Sequence, residues 1–597
     1  MSSLPTRLSA WQRHLAARLS GKADAVVAWL NRMGIDETTL LLGFALAIGL
    51  AVGLAVIAFY KLIDLAQAGA LTAAGRLTGF GSLSIILIVT GGLAISRALV
   101  RYLAGDSDGE NVADVTRAVA KRGGFINTWR VAVKTAGAAV AIGTGGSVGA
   151  EGPVAVAGAA LGSRIGRFFR SGPGRLRVLV GCGAAAGISA AFNAPIAGVF
   201  FSLEKVIGTF GVASFPPVLV ASVISAVVSR AAFGDTPVIE IPREYGVGSA
   251  SELLLYALLG VATGVVAVLY TRTVYRTQDL LKGLGANWKR LAVAGVAVGS
   301  LDILFRADLW GRGHESLSLG VIGERGALFL LGLALAKLLA TAITLATTRC
   351  GGAFTPALFI GATLGGSFAL GAAKVLPDAG IAPEAFALVG MAGLVAGSTH
   401  APLTAIMIVF EMTSDYALIL PLMLCGAIAY ITARRIYPES IYSEWLVRRG
   451  EQISAGRDTA ILERLRVRDS YNQSPYVIAE SATVPHIVQA ISASPQIEFP
   501  VLDADRRLLG MITHDDLRTI VSDTARFAPL VLAGDLVSRQ FERVAPGDSL
   551  RTALQRLDVR GNHQIPVVDA QDDGRLLGLI GRQEILGAYD RELLKEQ

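Results

Sequence analysis

Residues 144–161 read TGGSVGAEGPVAVAGAAL. The stretch is small, apolar and glycine-rich, and it carries one carboxylate, Glu151, between glycines and a proline. Proline is favoured in the first turn of a helix, where its missing N–H costs nothing, so Pro153 marks a helix start. The apolar sequence on either side is long enough to cross a bilayer, which puts that start at membrane depth. Irregular backbone is tolerated there only when it is buried in protein or lines a watery cavity. The unpaired N–H groups of such a start, with the positive end of the helix dipole, attract an anion without a full positive charge. Glycines let the anion approach the backbone closely. Glu151 is then an acid tethered to an anion site. It fills the site when ionised and leaves it when protonated or displaced, which makes it a gate. The plainer reading is that it caps the helix. A carboxylate inside a membrane span is a functional candidate by default.

The surrounding composition supports a membrane setting. Of 597 residues, 52% are hydrophobic and 17% charged, and the mean hydropathy is +0.54, far too apolar for a soluble globular protein. Spanning runs recur from about residue 38 to residue 433, among them TLLLGFALAIGLAVGLAVIAFY (39–60), LLLYALLGVATGVVAVLY (253–270) and ALFLLGLALAKLLATAITLAT (327–347). Arg7, Arg13, Arg18 and Lys22 precede the first span and favour a cytoplasmic N-terminus. The first 35 residues lack the apolar core and small-residue site of a cleavable signal. Cys182, Cys350 and Cys425 lie in apolar surroundings without metal-ligand spacing and read as small hydrophobes.

The membrane part contains an internal duplication, as transporters often do. AEGPVAVAGAALGS (150–163) aligns with AFTPALFIGATLGG (353–366), placing Pro153 on Pro356, Gly158 on Gly361 and Gly162 on Gly365. GAAAGISAAFNAPIAGVFFSLE (183–204) aligns with GMAGLVAGSTHAPLTAIMIVFE (390–411), so that Gly183 meets Gly390 and each Ala-Pro pair is followed by a glutamate, Glu204 or Glu411. Both matches share an offset of roughly 200 residues and occur in the same order. Pro356 therefore marks a second helix start of the same kind. The comparison does not say whether the repeats run parallel or inverted.

These residues resemble the CLC family of chloride channels and proton-coupled chloride transporters, over nearly the whole chain. GSVGAEGP (146–153) is similar to the family's GREGP motif and puts Glu151 at the gating glutamate. GGAFTP (351–356) matches GGxFxP, with Phe354 at the pore-lining phenylalanine, and SIYSEWLVRRG (440–450) puts Tyr442 at the tyrosine whose hydroxyl meets the central anion. The resemblance implies an all-α polytopic fold of eighteen helices with an inverted repeat and broken helices, a homodimer, and one anion pathway per subunit. It implies anion contacts from Gly149, Ala150, Gly152, Ala353, Phe354 and Tyr442.

The departures bear on mechanism. The family's GSGIPEV appears as GENVADV (109–115), so the anion-contacting serine becomes Glu110, and the following Gly and Pro become Asn111 and Ala113. A carboxylate beside an anion site repels the ion unless it is protonated, turned away or screened. Glu110 therefore faces water, is a second protonatable group, or marks a pore for something other than chloride; the first is preferred. The arginine of GREGP is Ala150, which leaves backbone amides and a weaker positive field. In PIAGVFFSLEKV (195–206), Lys205 occupies the internal proton-transfer position and Glu204 precedes it. A lysine disfavours a proton route from inside, although Glu204 and Glu110 remain candidates for another path; the bland reading is that Lys205 snorkels to the surface.

From residue 470 the chain carries two copies of one unit. The first contains YVIAESATVPHIVQAI and FPVLDADRRLLGMITHDDL; the second contains RVAPGDSLRTALQRL and IPVVDAQDDGRLLGLIGRQEI. They resemble tandem CBS domains, α/β modules that pair and often bind adenine nucleotides. Thr513 and Asp516 fall at the positions that contact phosphate and ribose, whereas the second copy has Gly581 and Glu584 there. The other reading is that the pair only buttresses the membrane part.

The expected organisation is a cytoplasmic segment (1–37), an anion-transport domain (38–450), a linker (451–469) and a CBS pair (470–597, about 470–525 and 530–597). The expected function is anion transport gated by Glu151, leaning to passive conduction because of Lys205. The alternatives are proton-coupled antiport and a nucleotide-sensing protein whose transport has decayed. No zincin, serine-triad or Walker pattern supports an enzyme. No required cofactor or metal is expected, only ATP, ADP or AMP at the tail. The expected partners are chloride or a similar anion, protons, lipid and a second copy of the chain, with no nucleic acid, in a bacterial plasma membrane with the N-terminus and tail cytoplasmic.

Overall fold

The computed structural model describes residues 37–105, 111–234, 250–285, 287–305, 308–311, 325–377, 381–451, 457–494, 496, 498–512, 531–539, 541–560, 563–572 and 574–595. The chain forms two compact units, Met1–Ile453 and Ser454–Gln597.

The regular elements of the first unit are all helices among its described residues. Its elements are α1 (Glu37–Arg76), α2 (Leu83–Leu103), α3 (Val112–Lys121), α4 (Thr128–Gly143), α5 (Glu151–Phe168), α6 (Pro173–Phe192), α7 (Pro195–Phe201), α8 (Phe215–Phe233), α9 (Ala250–Gly283), α10 (Asn287–Leu304), α11 (Ala327–Thr348), α12 (Phe354–Val375), α13 (Pro383–Thr399), α14 (Pro402–Thr413), α15 (Ile419–Ile436) and α16 (Ser443–Val447). A wide π-type turn, Ser202–Ile207, extends α7. Among the described residues eight helices are long and apolar enough to cross a membrane, and the protein is a multi-pass membrane protein.

Glycine, proline and left-handed residues cut these helices to length. Asn193 and His400 stop α6 and α13 with φ of 55° each. Each is followed by the Ala-Pro pair whose proline opens the next helix, α7 or α14. The repeat read from the sequence is a repeat of contacts. A Cβ on Gly158 would collide with the carbonyl oxygen of Gly183, and one on Gly361 with that of Gly390, so α5 meets α6, and α12 meets α13, backbone to backbone. In a bilayer such small-residue contacts replace the hydrophobic drive that water would supply.

The orientation left open by the sequence follows from two glutamates. Glu204 accepts from the backbone N–H groups of Leu403 (3.2 Å) and Thr404 (2.9 Å) and from the Thr404 hydroxyl (2.5 Å), at the start of α14. Glu411, at the end of α14, accepts from the N–H groups of Ile196 (2.9 Å) and Ala197 (2.7 Å), at the start of α7. Only antiparallel neighbours can each put their C-terminal end at the other's N-terminus, so the repeats are inverted.

The second unit contains α17 (Arg457–Arg464), β1 (Ile478–Ala479), α18 (Val484–Ala493), β2 (Phe499–Leu502), β3 (Leu508–Ile512), α19 (Ala533–Leu536), α20 (Leu550–Arg560), β4 (Gln564–Val568), β5 (Leu576–Gly581) and α21 (Arg582–Lys595). β1 is parallel to β2, β2 is antiparallel to β3, and β4 is antiparallel to β5. The register shifts between Val501 and Leu502 in one copy and between Val567 and Val568 in the other, the same point of the Pro-Val motif. The copies are tied by Arg507 to Asp572 (2.5 Å), and by Glu498, which accepts from the N–H groups of His563 and Gln564 (2.9 and 3.3 Å).

Candidate functional site

The two irregular stretches ahead of α5 and α12 meet. The Gly149 N–H donates to the Gly352 carbonyl (2.7 Å) and the Gly352 N–H donates to the Gly149 carbonyl (2.8 Å), an isolated antiparallel bridge. Gly149 and Gly352 are equivalent positions of the repeat, so each glycine pairs with its own counterpart, as inverted halves require. Helix then begins at Glu151 on one side and at Phe354 on the other. Pro153 and Pro356 lie in the first turn of each helix and withhold no N–H that the helix would have used.

Glu151 is 3% exposed, and its carboxylate lies back over Gly149, where any side chain would displace it. Ala150 is fully buried and, as the residue before α5, offers no side-chain cap. A cavity of about 350 Å³ is walled by three helix starts: Asn111, Val112 and Ala113 of α3, Gly152 and Pro153 of α5, and Gly351, Gly352 and Ala353 ahead of α12. Tyr442 also lines it, as do the basic side chains of Lys134 and Arg349. Where the family pattern has glycine and proline, Asn111 caps α3 by accepting the Asp114 N–H (2.9 Å), and Ala113 is buried.

The backbone around Tyr442 is pinned twice. The Ile441 N–H donates to the Ser398 carbonyl (2.8 Å), and the Tyr275 hydroxyl donates to the Ile441 carbonyl (2.7 Å). Tyr442 lies within electrostatic reach of Glu151 and of Tyr270. The Tyr270 hydroxyl donates to the Ala353 carbonyl (2.9 Å), and the Phe354 ring packs 5.7 Å from Phe192. Thus the structure brings together Gly149, Ala150, Glu151, Gly152, Ala353, Phe354 and Tyr442. Tyr270, Tyr275, Phe192 and the capping role of Asn111 were not foreseen. A buried tyrosine in a span needs a hydrogen-bond partner, and this was the one available signal for Tyr270 and Tyr275.

Residues 91–434 match the family described as voltage gated chloride channel, and residues 467–523 and 533–591 match the CBS domain. The chain belongs to the CLC family. A protein of Ralstonia nicotianae that carries the name chloride channel protein ClcB-like is 34% identical over 424 residues, covering 68% of this chain and 97% of that one. The H(+)/Cl(-) exchange transporter ClcA of Yersinia pestis (strain Angola) is 31% identical over 447 residues, covering 73% and 93%. Among solved structures, a slow cyanobacterial Cl-/H+ antiporter superposes with a TM-score of 0.62 at 24% identity, covering 70% of this chain and 98% of that chain. A eukaryotic CLC transporter superposes with a TM-score of 0.61 at 20% identity, covering 92% and 99%. The fold is that of a CLC membrane unit, followed by two CBS domains.

Glu204 and Lys205 lie away from the helix starts around Tyr442, in the π-type turn after α7. Glu204 is engaged by the start of α14. Lys205 lies within electrostatic reach of Glu204, Arg434 and His400, and its carbonyl accepts from the Thr116 hydroxyl of α3 (2.6 Å). Glu110, Thr513 and Asp516 lie outside the described residues. In the second CBS copy, the Glu584 carboxylate accepts the Gly581 N–H (2.9 Å), capping its own helix. Among the described residues no cluster of three or more His, Cys, Asp or Glu is placed to hold a metal ion.

Proposed function

We propose that this CLC protein carries chloride or a similar small anion through a pathway gated by Glu151, and that conduction is passive. The observation that carries the reading is the buried Glu151 carboxylate at a helix start, folded over the Gly149–Gly352 bridge beside a cavity walled by two further helix starts and Tyr442. Backbone N–H groups and aligned dipoles favour an anion there. An ionised carboxylate on the same helix start competes for the same field. The names of two relatives, a chloride channel protein and an H(+)/Cl(-) exchange transporter, describe chloride as what those proteins carry.

Passive conduction is supported by the inner acid positions. Lys205 stands where proton-coupled members carry glutamate, and three hydrogen bonds at the start of α14 hold the neighbouring Glu204. The reading includes a homodimer with one pathway per subunit, a cytoplasmic N-terminus and tail, and adenine nucleotide at Thr513 and Asp516. Calorimetry of the tail with ATP, ADP and AMP tests the nucleotide; absence of heat leaves it a buttress.

Liposome flux with simultaneous chloride and proton detection tests the main reading. Native protein passes chloride without steady uphill proton movement. Glu151→Gln raises the flux and flattens its pH dependence; an unchanged curve returns Glu151 to helix capping. Proton pumping at fixed stoichiometry replaces passive conduction with antiport, the activity that the name of the 31% identical Yersinia relative describes for that protein. No anion flux at any pH from acid to neutral leaves only a nucleotide-sensing role.

A further inference from the structure

α11 is among the most apolar spans, yet one stripe of it is polar and wholly buried. Lys337, Thr341, Thr344 and Thr348 are each 0% exposed, and their spacing of four, three and four residues puts them on one helix face. The three threonines hold segments that lead into the anion site. Thr348 donates to the Cys350 carbonyl (3.0 Å), just ahead of Gly351 and Gly352. Thr344 accepts the Ser147 N–H (3.3 Å), and Thr341 shares a hydroxyl hydrogen bond with Ser147 (3.0 Å), four residues before Glu151.

Lys337 acts one step further out. Its ammonium donates to the carbonyls of Leu309 (2.9 Å) and Gly311 (3.1 Å), and it lies over the Phe359 ring of α12 at 5.1 Å. Between those carbonyls stands Trp310. Its ring covers Gly145, where a Cβ would come within 2.9 Å of it and where φ is 94°. Gly145 is therefore fixed as glycine by conformation and by space, and it is the turn from which the Glu151 segment springs. Asp302 of α10, which is 1% exposed, lies within electrostatic reach of the Lys337 ammonium. Neither Asp302 oxygen has a hydrogen-bond partner among the described residues. A carboxylate and an ammonium in a membrane interior are expensive to bury, and neither touches the anion cavity.

We infer that Lys337 is a positioning residue for the gate. Through Leu309–Gly311 and the Trp310 ring it immobilises the glycine turn ahead of Glu151, and so limits how readily that acid leaves the anion site. The inference rests on the gating reading of Glu151.

The test is a double-mutant cycle in liposomes, with chloride flux normalised to folded protein. Lys337→Met raises flux several-fold in the native background and changes nothing in a Glu151→Gln background, while Lys337→Arg restores native flux. An equal change in both backgrounds, or none in the native one, overturns the inference while leaving the gate intact. If Lys337→Met does not assemble, Trp310→Ala takes its place. It removes the ring from Gly145 without touching the buried pair, and the same background-dependent rise is expected; its absence is equally fatal. Glu151→Gln flux identical to native removes the gating reading and this inference together.

Discussion

At the scale of single residues, the site divides into side chains that meet the cavity and side chains that hold the backbone forming it. Tyr270 is of the second kind. Its buried hydroxyl serves the Ala353 carbonyl, immediately ahead of α12. Tyr270→Phe leaves that carbonyl with the Ala357 N–H (3.3 Å) as its remaining donor, and the loss of one such hydrogen bond costs about 0.5–1.5 kcal/mol. Thermal unfolding in detergent should register a loss of that size, with the chain still assembled. Glu151, Phe354 and Tyr442 were legible because each sits in a short contiguous motif. Tyr270 and Tyr275 were not, because their partners lie 83 and 166 residues away, and nothing local marks them. Lys337 was visible inside a quoted span and passed over, since a single cation in an apolar run does not announce which carbonyls it meets.

At the scale of elements, glycine spacing decides which helices can touch. Gly361 admits the Gly390 carbonyl, whereas Gly371, on the same helix, has nothing within 4 Å. Gly361→Val should therefore drive α12 from α13, an overpacking penalty of at least about 1–3 kcal/mol, read as a fall in melting temperature or failure to assemble. Gly371→Ala should leave the fold intact and gain up to about 1 kcal/mol from helix propensity. The duplication, the Pro-marked helix starts and the equivalence of Gly158 with Gly361 were all readable, because helix breakers and close contacts leave a residue-type signature. The use made of Glu204 was not. The sequence showed an acid recurring at a fixed distance from Ala-Pro; the hydrogen bonds that Glu204 accepts come from a helix start contributed by the other repeat, a partner that spacing alone cannot name.

At the scale of the molecule, the membrane unit ends with its chain latched down. Glu451 meets Arg117 of α3 at 2.5 and 2.8 Å and Lys121 at 3.5 Å. Partial burial works against its ionisation, but the Arg117 hydrogen bonds and charge outweigh it and hold the carboxyl below its ordinary value. A depressed carboxyl means that the unfolded chain binds the proton first as pH falls. The stabilisation is thus complete above the ordinary glutamate value of about 4.3 and disappears as pH drops through the folded one. Glu451→Gln should lower the melting temperature near pH 7, with the gap to native closing below about pH 4. The glutamate exchange between α7 and α14 has a wider consequence. Neither repeat is self-sufficient, because each lends the carboxylate that finishes its twin. Cut apart between the halves, the polypeptide would yield two fragments, each with a pair of amide hydrogens deprived of its carboxylate, and each able to mature only in the other's company.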